Sequence, residues 1–211
     1  MTETLIHFLP GMLAAYAILL VAASSPGPSV ALLLGVGAAQ GRQAALMTTA
    51  GIATGSVVLN AATLAGVGLL LEQAAWAFVA LRVLGGAYLA WLAYGAFCKA
   101  ANPTEVQAAQ IAPQGFARLF LTGFTLQVTN PKAIVFWIAI HAVSGIATAP
   151  AAVIALFFVG AYVISFGCHG AWGVLFSSNA FRAAYARGRR WIEAALGTFL
   201  GFMAVRLVTE R

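Results

Sequence analysis

Two short stretches hold most of the chemistry available to this chain: Ser24-Ser25-Pro26-Gly27-Pro28 and Thr129-Asn130-Pro131-Lys132. Each sets proline among hydroxyl or amide side chains inside an otherwise apolar run. A proline in a helix interior removes one N–H donor and clashes with the carbonyl four residues back, at a cost of about 3 kcal/mol in water. Pro26 and Pro28 would free the carbonyls of Ala22 and Ser24, and Pro131 that of Gln127. Ser24, Ser25, Thr129 and Asn130 offer local hydrogen bonds there, so each break reads as a polar notch. Lys132 adds a cation. Counted inward from Arg118 at 1.5 Å per residue, it lies about 20 Å along its helix, where a lysine in a bilayer costs about 2.5 to 3.5 kcal/mol. The sequence has no Asp, and its five Glu (3, 72, 105, 193 and 210) read as terminal or close to a membrane boundary. The anion left for Lys132 is a carboxylate of the cargo, with N–H groups of the half-helix after Pro28 or Pro131 directed at the same group. The alternative is a lysine that snorkels towards the His141 end.

Three further groups could carry a proton: His141, His169 and Glu193. A histidine alone on an apolar helix is more often structural. Cys98 and Cys168 stand far apart with no CxxC and read as small core residues. Cys168 and His169 are adjacent, which keeps a metal-ion transporter open as an alternative, but no acid accompanies them and no metal site is assigned. Ser25 with His169 would be the start of a membrane-embedded hydrolase, yet there is no Asp to orient the histidine and no GxSxG. No catalytic residue and no cofactor is predicted.

The elements that must position these groups are membrane helices. Of 211 residues 62% are hydrophobic and 8% charged, against about one quarter charged in soluble domains. Six spans of the length a bilayer needs are predicted at about 11–37, 45–71, 76–97, 116–141, 150–175 and 191–208. The breaks fall at Arg42, at Glu72, at the polar run 99–115, at 143–150 and at the arginine-rich run 182–190. Nothing is left for a second domain, so one transmembrane domain over 1–211 is expected. The leader carries Glu3 and no basic residue, and apolar character resumes past Pro28, so a cleaved signal peptide is not expected. The net charge of +6 does not form a basic face with interleaved aromatics, so nucleic acid is not a predicted partner. Arg42, Lys99, Arg118 and the four arginines from Arg182 to Arg190 fall on the odd-numbered loops, which places both termini outside.

The spans divide three and three. Ser24-Ser25-Pro26 overlies Thr129-Asn130-Pro131 at an offset of 105, Gly55 overlies Gly160 at the same offset, and Gly86–Trp91 overlies Gly197–Phe202 at 111. Because three is odd, the second repeat (about 116–208) would be inverted relative to the first (about 11–97), with spans one and four broken at proline. Broken helices at matching places in inverted halves point to a transport site near the midplane.

The stretches SPGP, GIATG, LGGAYLAWLAYGAF and FLTGFTLQVTNPKAIVFW are similar to those of the LysE/RhtB family of bacterial amino-acid exporters. The similarity covers most of the first 140 residues. It implies a multi-pass secondary transporter of the inner membrane that exports amino acids, driven by the proton gradient and working as a dimer. Carried over by motif are Pro26, Gly27, Pro28, Asn130, Pro131 and Lys132. Ser29 and Ser56 stand where many members have acids, and Gln127 where Asn is common. Without those acids a dibasic cargo loses its counter-charge, so a neutral amino acid is expected.

Overall fold

The computed structural model describes residues 2–73, 75–102, 110 and 112–209, and every regular element among them is helical. In chain order these are α1 (Thr2–Ser24), α2 (Pro28–Gln73), α3 (Ala75–Ala101), α4 (Phe116–Thr129), α5 (Pro131–Ser144), a 3-10 turn (Ile146–Thr148), α6 (Ala151–Phe176) and α7 (Asn179–Thr209). Among the described residues four stretches are long and apolar enough to cross a membrane, namely Leu5–Ser24, Pro28–Gly68, Ala151–Phe176 and Asn179–Thr209; Pro131–Ala142 is apolar but shorter. The chain is an all-α membrane protein. Its outer surface is as apolar as its core: Leu13, Leu84, Val163 and Val205 are all exposed, as they should be where the solvent is lipid.

The prolines end helices where the sequence suggested, but the pieces differ from the expected spans. The first span reaches back to Thr2 and stops at Ser24. The expected loop at Arg42 is a kink: helix continues from Pro28 to Gln73, with only Gly41 leaving helical geometry at φ 79, ψ −170. A left-handed φ is accessible to glycine without a Cβ clash, so the chain bends there without a loop. Residues 103–109 and 111 of the polar run before α4 lie outside the described residues, Glu105 among them, as does Glu210; Gln114 donates its backbone N–H to Gln40 Oε1 at 2.8 Å, tying the end of that run to the kink.

The arginine-rich run is likewise not a loop. Chain reversal occurs at Ser177-Ser178, and α7 begins at Asn179 rather than near 191. Ala and Arg are good helix formers, and the start of α7 is held by Arg182, which bonds the Phe176 carbonyl and Asn179 Oδ1. An aromatic cluster of Trp172, Phe176, Phe181 and Tyr185, with centroids 5.0 to 6.5 Å apart, joins α6 to α7. Arg189, counted above as a loop charge, is buried on this helix.

Helices approach closely where glycine removes a side chain. A Cβ on Gly51 of α2 would strike the Phe120 carbonyl, and one on Gly123 of α4 would strike the Thr48 carbonyl. The two glycines thus form a reciprocal contact between α2 and α4. α3 lies along α7, with Gly197 against the Phe97 ring. Gly123→Ala should therefore lower the melting temperature of the detergent-purified protein, by the equivalent of about 1 to 3 kcal/mol for forced overpacking. Gly66→Ala, whose Cβ would meet nothing within 4 Å, should leave it unchanged.

Candidate functional site

The first break satisfies its own orphan. The carbonyl of Ala22, left without a donor by Pro26, accepts Ser25 Oγ at 2.9 Å. Lys132, from the second break, reaches across the bundle: its ammonium donates to the Ser25 carbonyl at 3.2 Å and contacts Ser25 Oγ as well. It does not extend towards His141, so the snorkelling alternative is not what the side chain adopts. Gly27 makes room, since a Cβ there would stand 3.1 Å from Lys132 Nζ. The ring of Phe136, its centroid 5.8 Å from Nζ, covers the ammonium further.

The second break is built by Asn130. Its N–H donates to the Gln127 carbonyl at 3.3 Å, the group freed by Pro131, and its Oδ1 accepts the Lys132 N–H at 3.1 Å as the N-cap of α5. Proline at the first helical position is favourable, because the missing donor would be unpaired there in any case. Thr129 takes no part in this cluster: it is exposed and bonds the Thr125 carbonyl. Ser24 turns towards Cys168 of α6, and Cys168 and Cys98 are both free thiols. Ser25 and Asn130 are buried and line one small cavity of about 40 Å³ together with Gly27, Pro28, Gln127 and Lys132. That is room for water.

The far wall of this cavity is a chain of neutral hydrogen bonds. Ser29 Oγ donates to Gln127 Oε1 at 3.2 Å, and Gln127 Nε2 donates to Ser56 Oγ at 2.8 Å. Ser165 Oγ lies 3.3 Å from Ser56 Oγ and 3.5 Å from His169 Nδ1, which is also 2.9 Å from the Ser165 carbonyl. Four helical segments thus contribute to one buried polar thread, and the three positions that depart from the resembled family are partners in it. His169 belongs to the cavity; His141 does not. The latter sits between Trp137 and Phe157, its Nε2 3.1 Å from the Asn60 carbonyl.

Glu193 is 2% exposed in the middle of α7, with Arg189 Nε 3.5 Å from its Oε1. It lines a second cavity, about 410 Å³, whose other polar lining residues are Ser25, Tyr94, Cys98, Lys99 and Lys132. Lys132 therefore borders both cavities. Arg189 and this second cavity were missed by sequence reasoning; the available signal was the four-residue spacing Tyr185-Arg189-Glu193-Gly197, which continues into Leu200, Ala204 and Leu207 as the buried stripe of α7. Among the described residues no three His, Cys, Asp or Glu side chains stand close enough to hold a metal ion.

A bundle of apolar helices with polar chambers at two helix breaks defines a membrane transporter. The comparisons specify which: the family model described as LysE type translocator matches residues 20–211, and the chain belongs to that family. It is a translocator and not an enzyme. The chain is 28% identical to the threonine efflux protein of Escherichia coli, covering 91% of this chain and 94% of that one. It is 29% identical to the leucine efflux protein of Klebsiella pneumoniae, covering 97% and 95%, and 27% identical to the Escherichia coli membrane protein YahN, covering 88% and 83%. No solved structure matches it.

If Asn130 caps α5 as described, Asn130→Ala should destabilise the purified protein by about 1 kcal/mol and Asn130→Ser should restore most of the loss, because serine also serves as an N-cap. Thermal unfolding in detergent measures both.

Proposed function

We propose that the protein exports neutral amino acids across the bacterial inner membrane, driven by the proton gradient. The observation that carries this reading is the placement of Lys132, whose ammonium from one helix break rests on the carbonyl and hydroxyl of Ser25 at the other. Those partners are neutral. A cargo carboxylate offers the same ammonium a charge-assisted bond, roughly twice as strong as a neutral one, so cargo binding would exchange Ser25 for the carboxylate. The thread of Ser29, Gln127, Ser56 and Ser165 holds no acid to pair with a cationic cargo side chain. The relatives named for threonine and leucine efflux fit a neutral cargo.

His169 is the best placed of the three proton-coupling candidates, since it ends the polar thread and borders the same small cavity as Lys132. His141 is enclosed by aromatic rings, and Glu193 pairs with Arg189.

The six-span, two-repeat architecture belongs to the same proposal. The helices before the two breaks end at Ser24 and Thr129, residues that coincide at the offset of 105. Helix contacts support it: α1 packs on α5, α2 on α4 and α3 on α7. We assign one domain over 1–211 with both termini outside; Arg42 beside the kink of α2, Lys99 in the last turn of α3 and Arg118 in the first turn of α4 would then lie towards the cytoplasmic face. The resemblance extends the proposal to a homodimer.

Export of a panel of labelled amino acids from cells, with and without an uncoupler, tests the reading directly. Lys132→Ala should abolish export at normal membrane abundance, with affinity reduced about 10-fold to 150-fold for a lost contact of roughly 1.5 to 3 kcal/mol. Lys132→Arg should rescue poorly, because a planar fork replaces a compact charge. Amino amides, which lack the carboxylate, should not compete. His169→Gln should retain downhill export but lose the response to the proton gradient; an unchanged uncoupler sensitivity would remove His169 from the coupling path.

A further inference from the structure

Lys132 faces two chambers, and only the small one is explained by the helix breaks. The larger, about 410 Å³, lies between α3, α7 and the first break and falls within the ~300 to 1,000 Å³ typical of small-molecule sites. Its walls combine an apolar lining, Trp91, Leu92, Leu196 and Leu200, with charges of both signs: Lys132 and Lys99 against Glu193. Glu193 is 2% exposed, yet its Oε1 has no hydrogen-bond donor. Arg189 faces it along α7 but at 3.5 Å from Nε, and that Nε is itself without a hydrogen-bond partner. The pair is close enough for charge compensation and lacks hydrogen bonding. A buried carboxylate oxygen left in that state costs free energy, and Glu193 also lines the chamber, from which a further donor could reach its carboxylate.

We propose that Glu193 is the ammonium subsite of the cargo, so that the larger chamber binds an amino acid as a zwitterion: carboxylate on Lys132, α-ammonium on Glu193, aliphatic side chain against Leu92, Leu196, Leu200 and Trp91. An α-ammonium brings three N–H donors to a carboxylate one of whose oxygens has none. Arg189 is a positioning residue: it faces the carboxylate along α7 at ion-pair distance without a hydrogen bond to it. Lys99, exposed on α3, adds positive charge that favours the carboxylate end. The assignment rests on the amino-acid export reading and deepens it, because it makes both charged ends of the cargo necessary. Carboxylates without an amino group, and amines without a carboxylate, each satisfy only one wall.

Titration calorimetry on the purified full-length protein in detergent tests this with three probes of one carbon skeleton: L-leucine, 4-methylpentanoate (no amino group) and 3-methylbutylamine (no carboxylate). Wild type should bind L-leucine at least about tenfold tighter than either analogue, the size of one charge-assisted bond. Glu193→Gln, nearly isosteric, should weaken L-leucine about tenfold and leave 4-methylpentanoate within about twofold; Glu193→Asp should recover part of the loss. Lys132→Ala should show the mirror pattern, weakening L-leucine and sparing 3-methylbutylamine. Equal binding of L-leucine and 4-methylpentanoate by wild type would overturn the subsite without any variant. So would a Glu193→Gln loss shared equally by the two, which marks a structural role. If L-leucine binds and depends on Lys132 but not on Glu193, the subsite falls while the export reading stands; if wild type binds no member of an L-leucine, L-threonine and L-alanine series, both fall.

Discussion

The constraint on which the rest of this structure depends is that a backbone group inside a bilayer must find its partner within the protein. Pro26 and Pro131 each strip a donor from a helix at depth, and the chain answers locally, with Ser25 Oγ on the Ala22 carbonyl and the Asn130 N–H on the Gln127 carbonyl. What remains after these repairs is a backbone carbonyl, that of Ser25, turned inward and available. Lys132 takes it. The two breaks are thereby joined by a lysine that hydrocarbon would otherwise exclude.

That clasp explains the neighbouring choices of residue. Gly27 leaves the space in which the ammonium rests, and Phe136 covers it. Ser29 and Ser56 bring no charge that would compete for Lys132, and Gln127 links the two hydroxyls so that neither is buried without a partner. A neutral network of this kind is stable only when complete, since a half-satisfied buried amide costs more than an apolar replacement. The glycine contacts between α2 and α4 bring Gln127 within reach of Ser56, so close helix approach and polar satisfaction depend on each other.

Charge on α7 is arranged differently. Arg189 and Glu193 lie on the buried stripe of α7, and their mutual distance leaves hydrogen-bonding capacity unused between them, while Glu193 also lines the larger chamber. The molecule thus presents two charged walls of opposite sign to one space. An exporter of zwitterions needs such a pair to be strong enough to select and incomplete enough to release.

The sequence by itself determined the class and the breaks. Composition requires a lipid solvent, and proline with flanking Ser, Asn and Thr marks where helices end, because those effects are local and act on the backbone of the same few residues. It also singled out Lys132 by its cost. Elsewhere local reading misleads: the stretch at Arg42 and the arginine run read as loops, since a glycine and a cluster of charges usually are, yet both continue as helix. Burial was not legible, because in a bilayer the outward face is as apolar as the inward one and the hydrophobic contrast that identifies a core face is lost. Only the tertiary structure decided that Lys132 turns to Ser25, that His169 lines the small cavity and His141 does not, and that Glu193 lines the larger one. Each depends on which of several apolar faces meets another helix, a long-range choice made by the close contacts of Gly51, Gly123 and Gly197.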